Sequence, residues 1–312
     1  MFEGFERRRL PGSGSVHINA RVGGSGPPLL LLHGYPQSHV MWHKAAPLLA
    51  RHFTIVATDL RGYGDSDKPP SDPRHETYSK RATAADQVAV MRALGFAQFF
   101  VAGHDRGGRV AHRLALDSPD AVLRLAVLDI APTREMFGGT DMRLAMAYYH
   151  WFFLAQPFDL PERLIGADPE YYLRKKITGW SAGGDPAKIF SDEALAEYIR
   201  CFKDPATIHA SCEDYRAAAT IDIEHDDADG GKKVAAPLLA LWGARGVVNR
   251  CFDALAEWRK RAENVQGEPI DTGHYLAEED PEGTALDRVL PVGLSFRREH
   301  FRRHEPCELP AP

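Results

Sequence analysis

A chain of 312 residues with 44% hydrophobic side chains is long enough for one large domain, or one domain with an insertion, around a substantial core. Its formal charge of −5 is spread along the chain in both signs, which leaves no basic footprint for nucleic acid or a membrane surface. The aliphatic run Leu29–Leu32 is too short to span a bilayer, and no apolar stretch of the kind a secretory leader carries follows the basic N-terminal residues MFEGFERRRLPGSG. Cys201, Cys212, Cys251 and Cys307 form neither a CxxC pair nor a zinc spacing, so the expectation is reduced thiols in a cytoplasmic protein with no bound metal.

The segment near residues 5–22 reads as an antiparallel hairpin at a sheet edge. PPLLLLHG then reads as a buried strand ending in a glycine loop, and FTIVATDL as a second strand ending at Asp59. A helix-length stretch over 77–94 leads to a third strand, AQFFVAGH; a second helix over 106–117 leads to a fourth, LRLAVLDI. This alternation predicts a mostly parallel sheet flanked by crossover helices. It stops after Asp129 and resumes with PLLALWG and VQGEPID, which complete an eight-stranded sheet when the hairpin is included. A compact protein does not carry a structureless loop of about a hundred residues between strands. The intervening sequence holds YYHWFF, EYYLRKK, SDEALAEYIRCF and SCEDYRAAA, which are helical in pattern and rich in aromatics. The expectation is a helical cap over residues 132–230, dividing a core made of residues 1–131 and 231–312. DDADGGKK (226–233) reads as a polar exit linker; the spacing of its acids fits no calcium loop.

AQFFVAG runs into His104-Asp105-Arg106-Gly107-Gly108 and then a helix. Strand, sharp turn and helix with the form G-x-nucleophile-x-G is the elbow of the α/β-hydrolase fold, in which glycines let the chain turn tightly and lift the central side chain above the sheet. That side chain is Asp105, where many such enzymes have Ser. A helix-capping Asp is the plainer reading; the HGYP that follows an earlier strand and a late GH pair, both in order, favour a nucleophile. A carboxylate is already ionised at neutral pH and needs no base to attack a saturated carbon. The resulting alkyl ester needs water, and the water needs a base.

His274, after the last predicted strand, occupies the position of that base. With 14 histidines in the chain, it is position and not residue type that singles it out. A base His needs an acid partner. The strand after the cap ends LWGARGVVNR, without Asp or Glu, so Asp129 at the end of LRLAVLDI is the candidate, against the alternative of a loop-capping Asp. Arg106 and Arg109 lie one helical turn apart, at the start of the helix behind Asp105, and suit a substrate carboxylate, against the alternative that either forms a structural salt bridge. Arg113, further along, is expected to be a structural ion pair. A leaving anion is best met by Trp, Tyr and His donors. The cap offers His150, Trp151, Trp180 and Tyr215, and spacing does not select among them or separate them from core aromatics.

Taken together, HGYPQS, DLRGYGDSDKP, GHDRGGRVAHR, LDIAPT, HWFFLAQP, ITGW, CEDYRAAA, LWGARGVV and GHYLAEE resemble the fluoroacetate (haloacetate) dehalogenases over about residues 5–285. GHDRGGR with HWFFLAQP is specific to that resemblance; HGYP and RGYGDSDKP are shared with epoxide hydrolases. The resemblance implies Asp105 as nucleophile, His274 as base, Asp129 as its acid, and Arg106 and Arg109 as the carboxylate clamp. It further implies His150, Trp151 and Tyr215 as the halide pocket, with Gly34, Tyr35 and Trp180 lining it. No cofactor, a small haloacid as the substrate and partner, a homodimer and a cytoplasmic location are implied as well. The expected reaction converts a short 2-haloacid to the 2-hydroxy acid and halide through an ester on Asp105. The alternatives are an epoxide hydrolase with the same nucleophile and a catalytically silent small-acid binding protein. Two departures stand out: Tyr35 where the family often has Phe, and a tail after residue 285 interrupted by Pro291 and Gly293.

Overall fold

The computed structural model describes residues 1–183 and 186–284, so Cys307 and the interrupted tail lie outside the described residues. Eight strands form one sheet in the order β1-β2-β4-β3-β5-β6-β7-β8. They are β1 (Glu6–Pro11), β2 (His17–Gly24), β3 (Pro28–Leu32), β4 (Thr54–Thr58), β5 (Phe99–His104), β6 (Val122–Leu128), β7 (Leu238–Gly243) and β8 (Val265–Ile270). β1 and β2 are the hairpin and β2 also pairs antiparallel with β4; all other pairings are parallel.

The burial of each strand follows its place. β3, β5 and β7 are buried along their whole length, as central parallel strands covered on both faces must be. Each of Leu29 to Leu32 is fully buried and contributes about 1.5–3 kcal/mol by leaving water. β8 is an edge strand whose residues are half-buried or exposed. β1 guards the other edge with charge: Arg7 pairs with Asp65 and Arg9 with Asp67.

The core helices are α1 (Ala45–Leu49), α2 (Lys80–Ala93) and α3 (Arg106–Asp117) before the insertion. After it come α13 (Val247–Cys251), α14 (Ala254–Arg261) and α15 (Leu276–Glu279). Ser79 caps α2 by accepting the Ala82 N–H at 3.1 Å. Between β6 and β7 the chain is helical: α4 (Thr133–Gly138), α5 (Met142–Ala147), α6 (Tyr149–Leu154), α7 (Leu160–Ala167) and α8 (Pro169–Trp180). It continues through α9 (Pro186–Ile189), α10 (Asp192–Phe202), α11 (Pro205–Ala219) and α12 (Ile221–Asp229).

One expectation is corrected here. Residues 226–229 belong to α12 and are not a linker. Asp226 and Asp229 reach Arg113 of α3 at 2.6 Å and 2.5 Å, so their charges neutralise a buried guanidinium instead of solvating a loop.

No helix among the described residues is long and apolar enough to cross a membrane. The order of the strands puts β4 on one side of β3 and β5 on the other. The loops leaving β3 and β5 therefore diverge, and the carboxyl ends of the strands are where such a sheet places its ligand site.

Candidate active site

Register brings the candidate residues together at that edge. His104 of β5 faces Leu128 of β6, so Asp105 and Asp129 leave neighbouring strands at the same level. The Asp105 N–H donates to the Leu128 carbonyl at 3.1 Å, and the Asp129 N–H to that of Leu241 at 2.8 Å. His274 follows β8 by four residues. Both acids sit at positive φ, 45° for Asp105 and 49° for Asp129. Such backbone costs about 1–3 kcal/mol at a residue with a Cβ and persists only where the surroundings enforce it. The elbow needs its glycines for contact reasons. A Cβ on Gly103 would lie 2.3 Å from the Gly107 carbonyl oxygen, and one on Gly34 would lie 2.6 Å from Asp105 Cβ.

The His274 Nδ1–H donates to Asp129 Oδ2 at 2.6 Å. Asp129 Oδ1 accepts the Gly243 N–H at 3.0 Å. The last residue of β7, whose following loop supplies no acid of its own, thus holds the acid from β6. Nε2 of His274 makes no hydrogen bond among the described residues, so this nitrogen can act on water. Burial lowers the imidazole, but Asp129 and the Asp105 charge outweigh it, and His274 titrates above its ordinary value. His104 is its opposite. Burial first, then the positive field of His274, pushes it down to about 3. It is a neutral ring whose Nε2–H holds the His274 carbonyl at 2.7 Å.

Asp105 Oδ1 accepts the Tyr35 N–H at 3.0 Å, which leaves Oδ2 as the outward oxygen. Burial pushes this carboxyl up, yet His274, His104, Arg106 and Arg109 together pull it below the usual carboxylate range. It is ionised at neutral pH.

Arg106 and Arg109 are buried and held differently. Asp214 of α11 grips Arg106 through Nε at 2.8 Å and Nη2 at 2.9 Å, leaving Nη1 without a partner. Lys80 and the Tyr63 hydroxyl share the same carboxylate. Arg109 donates to the Ala131 carbonyl at 3.1 Å and Thr133 Oγ1 at 3.0 Å, leaving Nε without a partner. Burial and then repulsion from Arg106 lower Arg109 to about 10, so the site favours one more anion. Each guanidinium lies against an aromatic ring: Arg106 is 4.2 Å from the Tyr215 centroid and Arg109 is 4.6 Å from that of Trp151.

Those rings belong to a shell. His150 is 5.5 Å from Tyr215 and 4.4 Å from Trp180, and Trp180 is 5.5 Å from His274. Tyr35 is 5.3 Å from Tyr215 and stacks on His150 at 6.1 Å. The His150 Nδ1, Trp151 Nε1 and Tyr215 hydroxyl are buried without partners. Burial, joined by Lys176 and other nearby positive charges, keeps His150 well below its ordinary value and hence neutral. Every candidate from the sequence therefore lies in one place. Arg113 does not join them and is paired to α12.

The model of the α/β hydrolase fold family matches residues 27–281. The chain belongs to the α/β hydrolase fold family. It is 50% identical over 305 residues to fluoroacetate dehalogenase from Burkholderia sp, covering 98% of this chain and 99% of that one. The soluble epoxide hydrolase of Corynebacterium sp. (strain C12) is 37% identical over 274 residues, 86% of this chain and 92% of its own. The crystal structure of ALR0039 from Nostoc sp PCC 7120 matches with a TM-score of 0.91 at 58% identity, covering 93% of this chain and 99% of that one.

Sequence reasoning missed residues of this hydrolase that act through others. Glu279 accepts the N–H groups of Gly273 at 2.8 Å, Ala182 at 3.0 Å and Tyr275 at 3.0 Å. It fastens the His274 loop to the end of α8, where the Trp180 carbonyl also accepts the His274 N–H at 2.9 Å. Asp214 was visible only as an acid within CEDYRAAA, next to Tyr215. Tyr148 packs between Trp151 at 6.0 Å and His274 at 6.4 Å; in the sequence it stands out only as one of several cap tyrosines that an epoxide hydrolase could use.

Proposed function

We propose that this α/β hydrolase cleaves the carbon–halogen bond of short 2-haloacids, of the fluoroacetate and chloroacetate type, to give the 2-hydroxy acid and halide. One observation carries the reading. Arg106 Nη1, Arg109 Nε, His150 Nδ1, Trp151 Nε1 and the Tyr215 hydroxyl are all buried without hydrogen-bond partners in the cluster of residues that surrounds Asp105. A buried orphan costs about 1–3 kcal/mol. A cluster of them around one carboxylate is what a ligand bearing two separate negative ends would satisfy. A haloacetate is such a ligand, anionic at its carboxylate and becoming anionic at its halogen. The identity to a fluoroacetate dehalogenase supports the same reading.

In the proposed sequence the substrate carboxylate docks on Arg106 Nη1 and Arg109 Nε. Asp105 Oδ2 attacks the halogen-bearing carbon in line as the halide departs toward His150, Trp151 and Tyr215. A C–F bond makes this step demanding, and donors aimed at the forming fluoride lower its barrier. His274 Nε2 then takes a proton from water, whose oxygen attacks Cγ of the Asp105 ester. The negative charge that develops on Oδ1 is met by the Tyr35 N–H, and Asp129 stabilises the imidazolium. Collapse breaks the bond from Cγ to the substrate oxygen; His274 returns its proton to that oxygen, and the carboxylate is restored. Fluoroacetate and water thus yield glycolate, fluoride and a proton.

The inserted helices, over residues 132–230, are proposed as a cap domain that supplies the halide donors to the core. The large hydrophobic side chains exposed on it, including Met142, Met146, Phe158, Leu160 and Leu164, fit burial in a homodimer. A cytoplasmic location is proposed as well, in keeping with the free thiols of Cys201, Cys212 and Cys251.

Halide release from fluoro-, chloro- and bromoacetate, measured beside turnover of styrene oxide, tests the reaction. Release from at least one haloacetate is expected. Turnover of the epoxide alone would establish an epoxide hydrolase, for which a paired arginine clamp has no use. Binding of haloacetate without any turnover would make the chain a small-acid receptor.

A further inference from the structure

Buried lysines and arginines are ordinarily paired, and in this protein Arg61, Lys80, Arg106, Arg113 and Arg216 each hold a carboxylate. Arg109 and Lys176 are the two buried ones that hold none among the described residues. Arg109 is accounted for by the substrate carboxylate. The same physical reasoning applied to Lys176 asks for a second anion.

Lys176 lies on α8 with 4% of its surface exposed. Its ammonium is 3.5 Å from the ring centroid of Tyr149, 5.2 Å from that of Trp180 and 5.4 Å from that of Tyr172. It makes no hydrogen bond or ion pair among the described residues. Aromatic faces attract a cation but accept its N–H groups poorly, so the charge is only partly compensated. Its position is informative. Trp180 is the wall it shares with the candidate halide pocket, the indole being 4.4 Å from His150. Tyr149, the ring nearest the ammonium, is 51% exposed. The ammonium thus borders both a wall residue of the candidate halide pocket and a residue that reaches the surface.

We infer that Lys176 forms a second halide station, a monovalent-anion site through which the departing halide passes from the His150, Trp151 and Tyr215 donors to solvent. This rests on the dehalogenase reading above. A small anion that has just left carbon is held by strong donors, and a nearby uncompensated cation gives it somewhere to go. Burial alone, with no carboxylate beside it, lowers the Lys176 ammonium to about 7, as expected of a cation that lacks its counter-charge. Its field also reaches His150.

Bromide binding and turnover in the full-length chain test the inference. Wild-type crystals soaked in sodium bromide are expected to show two anomalous peaks, one against His150, Trp151 and Tyr215 and one against the Lys176 ammonium. Lys176→Met, which keeps the length and removes an unpaired buried charge, should fold, retain the first peak and lose the second. In stopped flow with bromoacetate this variant should form the Asp105 ester at the wild-type rate and release bromide several-fold more slowly, with Lys176→Arg restoring release. Bromide at the first position alone overturns the second station and leaves the dehalogenase reading intact. So does unchanged bromide release in Lys176→Met, or a lower Tm as its sole effect, which would make the lysine a packing residue. Absence of halide release from every haloacetate in the wild type overturns the dehalogenase reading itself.

Discussion

At the scale of single residues, the proposed division of labour between Asp105 and His274 rests on charge. The carboxyl of Asp105 is held below its ordinary value, so ester formation should be independent of pH across the neutral range and fall only in alkali, as Arg109 loses its charge at about 10. His274 is raised above its ordinary value, partly by the Asp105 charge, and is neutral only when pH exceeds that raised value. Ester formation removes the Asp105 charge. The imidazole must then titrate lower, at the moment it is needed as a base. An NMR titration should therefore find His274 with a lower pKa in Asp105→Asn than in wild type; an equal or higher value would argue against the coupling. The sign for stability follows from the same shift: the paired imidazolium favours the folded state at low pH, and this contribution fades as pH rises through the folded value. His274→Asn is expected to release one equivalent of halide per site and stop. Its kcat should fall by about 10²–10⁴ with Asp105 found esterified by mass spectrometry. Sustained turnover would remove His274 from the role of base.

At the scale of elements, α11 links the proposed carboxylate clamp to the proposed halide pocket. Asp214 grips Arg106 while the next residue, Tyr215, lies over the same guanidinium. Asp214→Asn keeps the shape and removes the charge, leaving Arg106 buried without its carboxylate and Lys80 with Asp222 as its remaining acid. The expected cost is about 3–5 kcal/mol in denaturant unfolding, with a raised KM for chloroacetate. Glu279 does similar work between α15 and α8, since its carboxylate gathers three backbone N–H groups around the His274 loop. In Glu279→Ala the burst of ester formation should persist while ester hydrolysis slows, because the base and not the nucleophile loses its support. A variant that slows both steps equally would show a general loss of structure.

At the scale of the whole molecule, the strand ends carry the proposed nucleophile, its acid partner and the base, while the inserted helices carry the proposed halide donors. Opposite halves of the proposed reaction thus come from opposite layers. The apolar side chains on the outer surface of the insertion, such as Phe158 at 71% and Leu164 at 59% exposure, set its expected assembly. Phe158→Glu combined with Leu164→Glu should convert a dimer into a monomer in sedimentation. A wild type that sediments as a monomer would refute the dimer.

The strand pattern, the elbow and the place of the helical insertion were determined by the sequence alone, because each depends on local physics. Apolar runs such as Leu29–Leu32 bury themselves, and Gly103 and Gly107 permit a turn that side chains would block. Asp129 could be proposed as the partner of His274 only because LWGARGVVNR offered no acid; the 2.6 Å contact itself depends on the register between strands. Tertiary structure alone decided which nitrogens of Arg106 and Arg109 remain open, that Asp214 and Glu279 hold the site, that Asp226 and Asp229 belong to a helix facing Arg113, and that Lys176 is buried without a counter-ion. The reason is range. A turn or a strand is specified by neighbours in the chain, whereas the partner of a buried charge is whatever the fold brings within a few ångströms, however distant in sequence.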